Sequence, residues 1–371
     1  MRRAVVVGAG IGGVTAAGAL AQAGWQVTVL ERAPELGEVG AGISIWPPAL
    51  RVLDGLGIGD KLRGEASLSG SVGVRRPDGR WLAAVDLSGF ELPSLVHRAR
   101  LHEAILSSLP ESAEVRTGVT VTGATTNGTL TTESGESIWA DLVVAADGIK
   151  SVVRRALVPD GPPPRYAGYT AYRGIAPAGI LDTGGETWGR SQRFGCVRMV
   201  DGRAYWYATV NVAEGASAAA TAHADVLRLF GEWHDPIPAL LAATPTDAVL
   251  VNDLYDLALP LASFAQGRVA LLGDAAHAMT PNLGQGACAA IEDAAALVGA
   301  LGAEADVAKA LQAYDAERRG PTAKLIRRSR QIGNLGQLDS RFAVGLRDTA
   351  LRAFGGIAKL TKLRKSDKKA A

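Results

Sequence analysis

Cysteine is scarce in this chain: only Cys196 and Cys288 occur, far apart and outside any CxxC pattern. That excludes a disulfide framework, a redox dithiol and a thiolate metal site. The five histidines, His97, His102, His223, His234 and His277, show no metal-ligand spacing, so no metal is expected. Charge of one sign is also missing, with a formal net charge of +2 and no concentrated basic face in the body of the chain. A nucleic-acid footprint would be larger and more clustered. No stretch reads as apolar enough, for long enough, to span a bilayer. Arg2 and Arg3 precede an apolar run, but the run breaks at Gly8 without a cleavage-site pattern, which argues against a signal peptide. A cytoplasmic protein without an integral membrane segment is the expectation.

What is abundant is glycine, 45 in 371 residues, placed at turns and element boundaries rather than in repeats. The organising stretch is Gly8-Ala9-Gly10-Ile11-Gly12-Gly13. Ala4 to Val7 reads as a buried parallel strand, Ile11 to Ala23 as an Ala-rich helix ending at Gly24, and Trp25 to Leu30 as the next strand. This is a βαβ unit with a dinucleotide fingerprint at its first turn. Gly8 permits the tight turn, Gly10 lets backbone approach a pyrophosphate, and Gly13 lets helix and strand pack closely. The helix N-terminus offers free N–H groups to phosphates. Glu31, closing the second strand, suits a free ribose 2′-OH and favours FAD or NAD over NADP.

Further along, Pro47 and Pro48 start a helix through Leu53. Val72–Arg75 and Trp81–Asp86 flank the turn Pro77-Asp78-Gly79 and read as a hairpin. Arg100–Leu109 is an amphipathic helix. Val115–Ala124, Thr129–Glu133 and Ser137–Trp139 read as strands, and Asp141–Ala145 as a second buried strand running into Asp147-Gly148. From Tyr166 to Leu259 alternating runs with aromatics predict an antiparallel sheet, interrupted by a helix over Ala222–Trp233. Arg268–Leu272 is a third buried strand, ending in Gly273-Asp274. Helical patterns follow to about Arg330, then a basic amphipathic tail ending in Lys359, Lys362, Arg364, Lys365, Lys368 and Lys369.

Three segments at the ends of apolar strands, VVGAGIGG at 6–13, ADGIKSVVR at 146–154 and GRVALLGDAAHAMTPNLGQGACAAIEDA at 267–294, together resemble the single-component FAD-dependent aromatic hydroxylases, the p-hydroxybenzoate hydroxylase-like flavoprotein monooxygenases. GAGISIWPPALRVLDGLG at 40–57 and VHRARLHEAI at 96–105 also look like this family. RYAGYTAYRGI at 165–175 is similar to the small members acting on salicylate, 6-hydroxynicotinate, urate or quinolone-type rings.

The resemblance implies an α/β fold: a Rossmann-like, GR2-type FAD-binding domain with an antiparallel β-sheet substrate domain and C-terminal helices. Its expected parts are 1–70, 98–160 and 264–330 for FAD, 71–97 and 161–263 for substrate, and 331–371 as a helical, basic tail. It implies FAD contacts at Gly8, Gly10, Ile11, Gly12, Gly13, Glu31, Arg32, Gly42, Ile43 and Arg98. Asp147 and Gly148 would serve both FAD and the nicotinamide cofactor. Gly273 and Asp274 would meet the ribityl chain, and Pro281, Gly284, Gly286 and Ala287 would wrap the pyrimidine edge of the flavin ring. On the substrate side it implies that Arg193 anchors an anionic or enolic substrate and Tyr205 orients it, with Trp188, Tyr172 and Met279 as candidate walls. The partners are a small aromatic or electron-rich substrate and O2. NADH or NADPH reduces the flavin, and a flavin C4a-hydroperoxide transfers one oxygen atom. An epoxidase, an isoprenoid-type reductase and a non-catalytic flavin scaffold remain alternative readings on the same fold.

Overall fold

The computed structural model describes residues 1–37, 41–63, 71–86 and 91–353. Gly40 and the lysine-rich end lie outside the described residues. The chain divides into two compact units. The first comprises Met1–Arg63, Val96–Ala167 and Tyr255–Arg330; the second comprises Gly64–Leu95, Gly168–Leu254 and Gln331–Ala371.

The first unit is built on a six-stranded sheet. Its parallel core runs Val269–Leu271, Leu142–Ala145, Arg3–Val7, Gln26–Leu30 and Ala113–Arg116, with Ala265–Gln266 added antiparallel at one edge. These strands are short unbroken apolar runs because both faces are covered, and Val6, Leu142, Val143 and Val144 reach no solvent. The run from Val115 to Ala124 is not one strand, as its composition suggested. Gly118 takes a positive φ of 69° and turns the chain. The first half joins the parallel sheet, and Val121–Ala124 begins a separate three-stranded sheet.

The helix Ile11–Gln22 packs against the helix Gly286–Ala303. A Cβ on Gly12 would lie 2.9 Å from a Leu272 methyl and 3.0 Å from the Ala290 Cβ, so the close approach is made at this glycine. Contrary to the sequence expectation, Gly286–Ala303 is by length and composition apolar enough to cross a membrane. Half of it is buried inside the fold, where it serves as a core helix.

The second unit holds most of a seven-stranded sheet. Its order is Leu250–Leu257, Pro164–Ala176, Ala204–Val210, Gln192–Arg198, Gly185–Trp188, Ser71–Arg75 and Trp81–Asp86. The Asp201-Gly202 hairpin and the Trp81 hairpin form where the turn residues predict them. The strand Gly185–Trp188 and the helix Ile237–Ala243 had no clear sequence signal. Strand alternation divides the sheet into two unlike faces. Phe194, Trp206 and Ala208 point to one face and pack with Phe230, Leu240 and Leu241 of the covering helices. Tyr172 belongs to this apolar face, not to the face carrying Arg193.

Candidate active site

In the first unit, the Gly8–Gly13 turn is shaped by contacts that only glycine allows. Gly8 has φ +99°, and a Cβ there would sit 2.5 Å from the Ala146 carbonyl oxygen. A Cβ on Gly13 would lie 2.0 Å from the Gly8 oxygen. The turn is therefore pressed against the Ala146-Asp147 segment at the end of the neighbouring strand. Two side chains hold it. The Glu31 carboxylate accepts from Ala9 N at 2.8 Å and Ala33 N at 2.9 Å. His102, buried on the helix Arg98–Leu106, bonds the Ala9 oxygen through Nε2 at 2.6 Å. Besides the ribose contact expected of it, the Glu31 carboxylate ties the loop to its own strand end. Arg32 beside it is exposed.

Asp147 uses one oxygen to cap the next helix, accepting from Val152 N at 2.7 Å and Val153 N at 3.2 Å. Its other oxygen is buried without a partner among the described residues. Gly148 follows with φ +77°. Arg154, 3% exposed, reaches across to the Ala275 oxygen at 2.9 Å and also bonds the Ile149 oxygen. Thus the Asp147 and Asp274 segments are tied together. Asp274 reaches solvent, yet crowding by the protein pushes its carboxyl pKa up, against the pull of His277, Arg98 and Arg154. Arg98 and Asp274 are thereby brought within each other's field.

Beneath Gly273-Asp274 lies a buried network. Asp293 accepts from Gly273 N at 3.0 Å, meets His277 Nε2 at 2.5 Å and accepts from Arg318 Nε at 2.7 Å. Burial alone would raise the Asp293 pKa, but His277 and Arg318 hold it low. Burial alone would lower the His277 pKa, but Asp293 holds it high. No role for His277, Asp293 or Arg318 follows from the sequence. Their signal is sparse: a charged residue in an otherwise apolar helix face, as Asp293 is within Gly286–Ala303.

The loop from Pro281 turns at Gly284, in the left-handed region with φ +61°, before the helix that starts at Gly286. A Cβ on Gly284 would be 3.7 Å from Ser44, placing the loop beside the strand Gly42–Ile45 that carries Gly42 and Ile43. Ala287 is in the first turn of that helix, where backbone N–H groups are free for a ligand. Cys288 bonds Trp46 N at 3.3 Å and the Ser44 oxygen at 3.2 Å. Burial pushes its thiol up to about 11, so it is a packed residue and not a nucleophile.

These residues fit FAD. The glycine cradle would be filled by any Cβ, an Asp147 oxygen is left unpartnered, and donors and a helix start gather beside Asp274.

In the second unit, the polar face of the sheet carries Arg193, 1% exposed, cross-strand from Trp188 and Thr209. Its NH2 group donates to Glu186 at 2.8 and 3.0 Å. Glu186 also accepts from the Tyr207 hydroxyl and the Trp188 indole. Burial pushes the Glu186 pKa up, but Arg193, Tyr207 and Trp188 bring it below its ordinary value. Burial drives the Tyr207 hydroxyl well up, and Glu186 adds to that. Gly195 leaves room for the Tyr207 ring, since a Cβ there would be 2.2 Å from it. Tyr205 shares this face, but its hydroxyl is paired with Arg173. Tyr207, two residues on, is the tyrosine joined to the Arg193 cluster, and the rings of Tyr205 and Tyr207 lie 6.1 Å apart. Met279 belongs to the first unit. Glu186 carries no local sequence signal; its importance comes from the pairing of its strand beside Arg193.

The family model described as "FAD binding domain" matches residues 2–164 and 241–329. The chain is 35% identical to aurachin C monooxygenase/isomerase of Stigmatella aurantiaca, over 94% of this chain and 93% of that protein. It is 36% identical to 3-amino-4-hydroxybenzoate 2-monooxygenase of Streptomyces cremeus, over 95% and 92%. Among solved structures, Klebsiella pneumoniae HpxO in complex with FAD and uric acid superposes with a TM-score of 0.84 at 30% identity, covering 95% of this chain and 93% of that one. The family model and these relatives agree, and the chain belongs to the family of FAD-dependent monooxygenases built on this FAD binding domain.

Proposed function

We propose that this chain uses NADH or NADPH to reduce its FAD and inserts one oxygen atom of O2 into an aromatic or other electron-rich small molecule. The first compact unit would hold FAD and the second the substrate. Bound FAD would supply the redox and oxygen-activating chemistry. The chain's own residues bind and orient. Gly8–Gly13 admits the pyrophosphate, Asp274 and Arg98 take the ribityl and phosphate region, and the helix start at Gly286 and Ala287 presents N–H groups to the negative side of the ring. Arg193, Glu186 and Tyr207 orient the polar edge of the substrate, with Tyr205 beside them.

The observation that carries this reading is the flavin cradle itself, in which three separate strand ends converge through the Gly13, Arg154 and Asp293 contacts. Relatives that act on an aminohydroxybenzoate and on urate support the aromatic or heteroaromatic substrate class. The test is NAD(P)H oxidation by the flavin-loaded protein across a panel of phenols, heteroaromatic acids, purines and quinolones, with hydrogen peroxide assayed alongside. Ligand-stimulated oxidation with little peroxide is expected. Flavin whose oxidation no panel member changes would favour the scaffold reading.

A further inference from the structure

The polar face of the second unit buries two guanidinium groups, and each already has a carboxylate. Arg193 pairs with Glu186 at 2.8 Å, and Arg347, also buried, pairs with Asp348 at 2.8 Å. Both lie over the Trp188 ring, 5.3 and 5.5 Å from its centroid. The Glu186 carboxylate is saturated with donors from Arg193, Tyr207 and Trp188. Arg173, the other guanidinium on this face, is half-exposed, paired with Tyr205 and bonded to Asn252 at 2.9 Å, so solvent screens it. The net charge of the buried cluster is zero.

Apart from Nε of Arg193, whose guanidinium charge Glu186 already matches, the polar atoms left over in this cluster are neutral. Thr209 Oγ1, Asn211 Oδ1 and both amide atoms of Gln337 are buried without a partner among the described residues. Gln337 is 7% exposed. They are contiguous with the Arg193 cluster. Thr209 is its cross-strand neighbour, Asn211 Nδ2 donates to the Gln337 backbone oxygen at 2.9 Å, and a Cβ on Gly336 would be 2.4 Å from the Arg193 side chain. Buried donors and acceptors are costly when unmade, so this group is matched to a ligand edge that both donates and accepts.

Building on the proposed function, we infer that the substrate is an uncharged ring held through a neutral N–H, C=O or O–H edge, and not a carboxylate-bearing or otherwise anionic ring. An anion entering this cluster meets the Glu186 carboxylate, and among the described residues both buried guanidinium groups here are already matched by a carboxylate. Of the two substrates expected for Arg193, anionic or enolic, this favours the enolic one.

The test uses the FAD-loaded protein and two matched probe pairs: 4-hydroxyquinoline with its 2-carboxylate, and phenol with 4-hydroxybenzoate. Binding is read from the perturbation of the flavin absorbance, without turnover. In the native protein the neutral member of a pair binds at least about tenfold tighter. Glu186→Gln keeps the shape, moves the cluster to a net positive charge and tightens the carboxylate member about tenfold. The double variant Glu186→Gln/Arg193→Gln restores zero charge and returns the native preference, which guards against misfolding of the single variant. Equal or tighter binding of the carboxylate member by the native protein overturns the inference and leaves the proposed function standing. So does an unchanged ratio in Glu186→Gln. Silence of all four probes in every protein overturns the inference together with the assignment of substrate to this face.

Discussion

The two faces of the sheet in the second unit are made by alternate residues of the same strands, and they are held by different physics. Phe194 and Trp206 pack into a continuous apolar layer under two helices, with their rings stacked 5.6 Å apart. Their neighbours Arg193 and Tyr207 face the other way into an ion pair and hydrogen bonds around Glu186. The apolar face is stabilised by volume and tolerates any condition that leaves the core dry. The polar face is stabilised by matching, and a single lost partner leaves a buried group exposed to the full cost of desolvation. Function belongs on the second kind of surface, because only there does a ligand have something specific to complete.

The contrast can be broken or sharpened by substitution. Arg193→Leu should have the largest effect, about 3–5 kcal/mol in chemical denaturation, because it removes the cation that neutralises the Glu186 carboxylate. A loss below about 1 kcal/mol would mean the pair is solvated and the polar face ordinary surface. Phe230→Ala on the apolar side should cost about 3–4 kcal/mol through cavity formation. It should leave the ligand charge preference untouched. Tyr207→Phe removes one bond to an ionised carboxylate and should cost about 1.5–3 kcal/mol. Thr209→Val should be within about 0.5 kcal/mol of native, or stabilising, because its hydroxyl has no partner among the described residues, while ligand affinity falls.

The faces should also differ in pH response. The pKa of Glu186 is depressed in the folded state, burial being outweighed by Arg193, Tyr207 and Trp188. Its contribution is therefore present above the unfolded carboxylate pKa and is lost as pH falls through the folded value. Unfolding curves across the acid range should show that loss in the native protein and not in Glu186→Gln/Arg193→Gln.

Much of the first unit was legible in the sequence because its constraints are local. Gly8 to Gly13 marks a turn, Gly273-Asp274 marks a strand end, and the burial of the parallel strands is written in unbroken apolar runs. Where reading failed, a single residue or a distant partner decided. Gly118 divided what looked like one strand. The apolar helix Gly286–Ala303 owes its composition to packing on Ile11–Gln22. Asp293 and Glu186 were invisible because a paired carboxylate is defined by partners brought from elsewhere: Gly273 and Arg318 for one, Arg193 and Tyr207 for the other. Tyr205 and Tyr207 share a face by alternation, and sequence alone could not say which hydroxyl Glu186 would take.

The most direct test of the account is turnover under isotopically labelled O2, with NADH or NADPH and a panel compound that stimulates oxidation. The account predicts a product carrying one labelled oxygen atom for each NAD(P)H consumed, with little peroxide released. A product without label, or label absent while peroxide matches the NAD(P)H consumed, would contradict it.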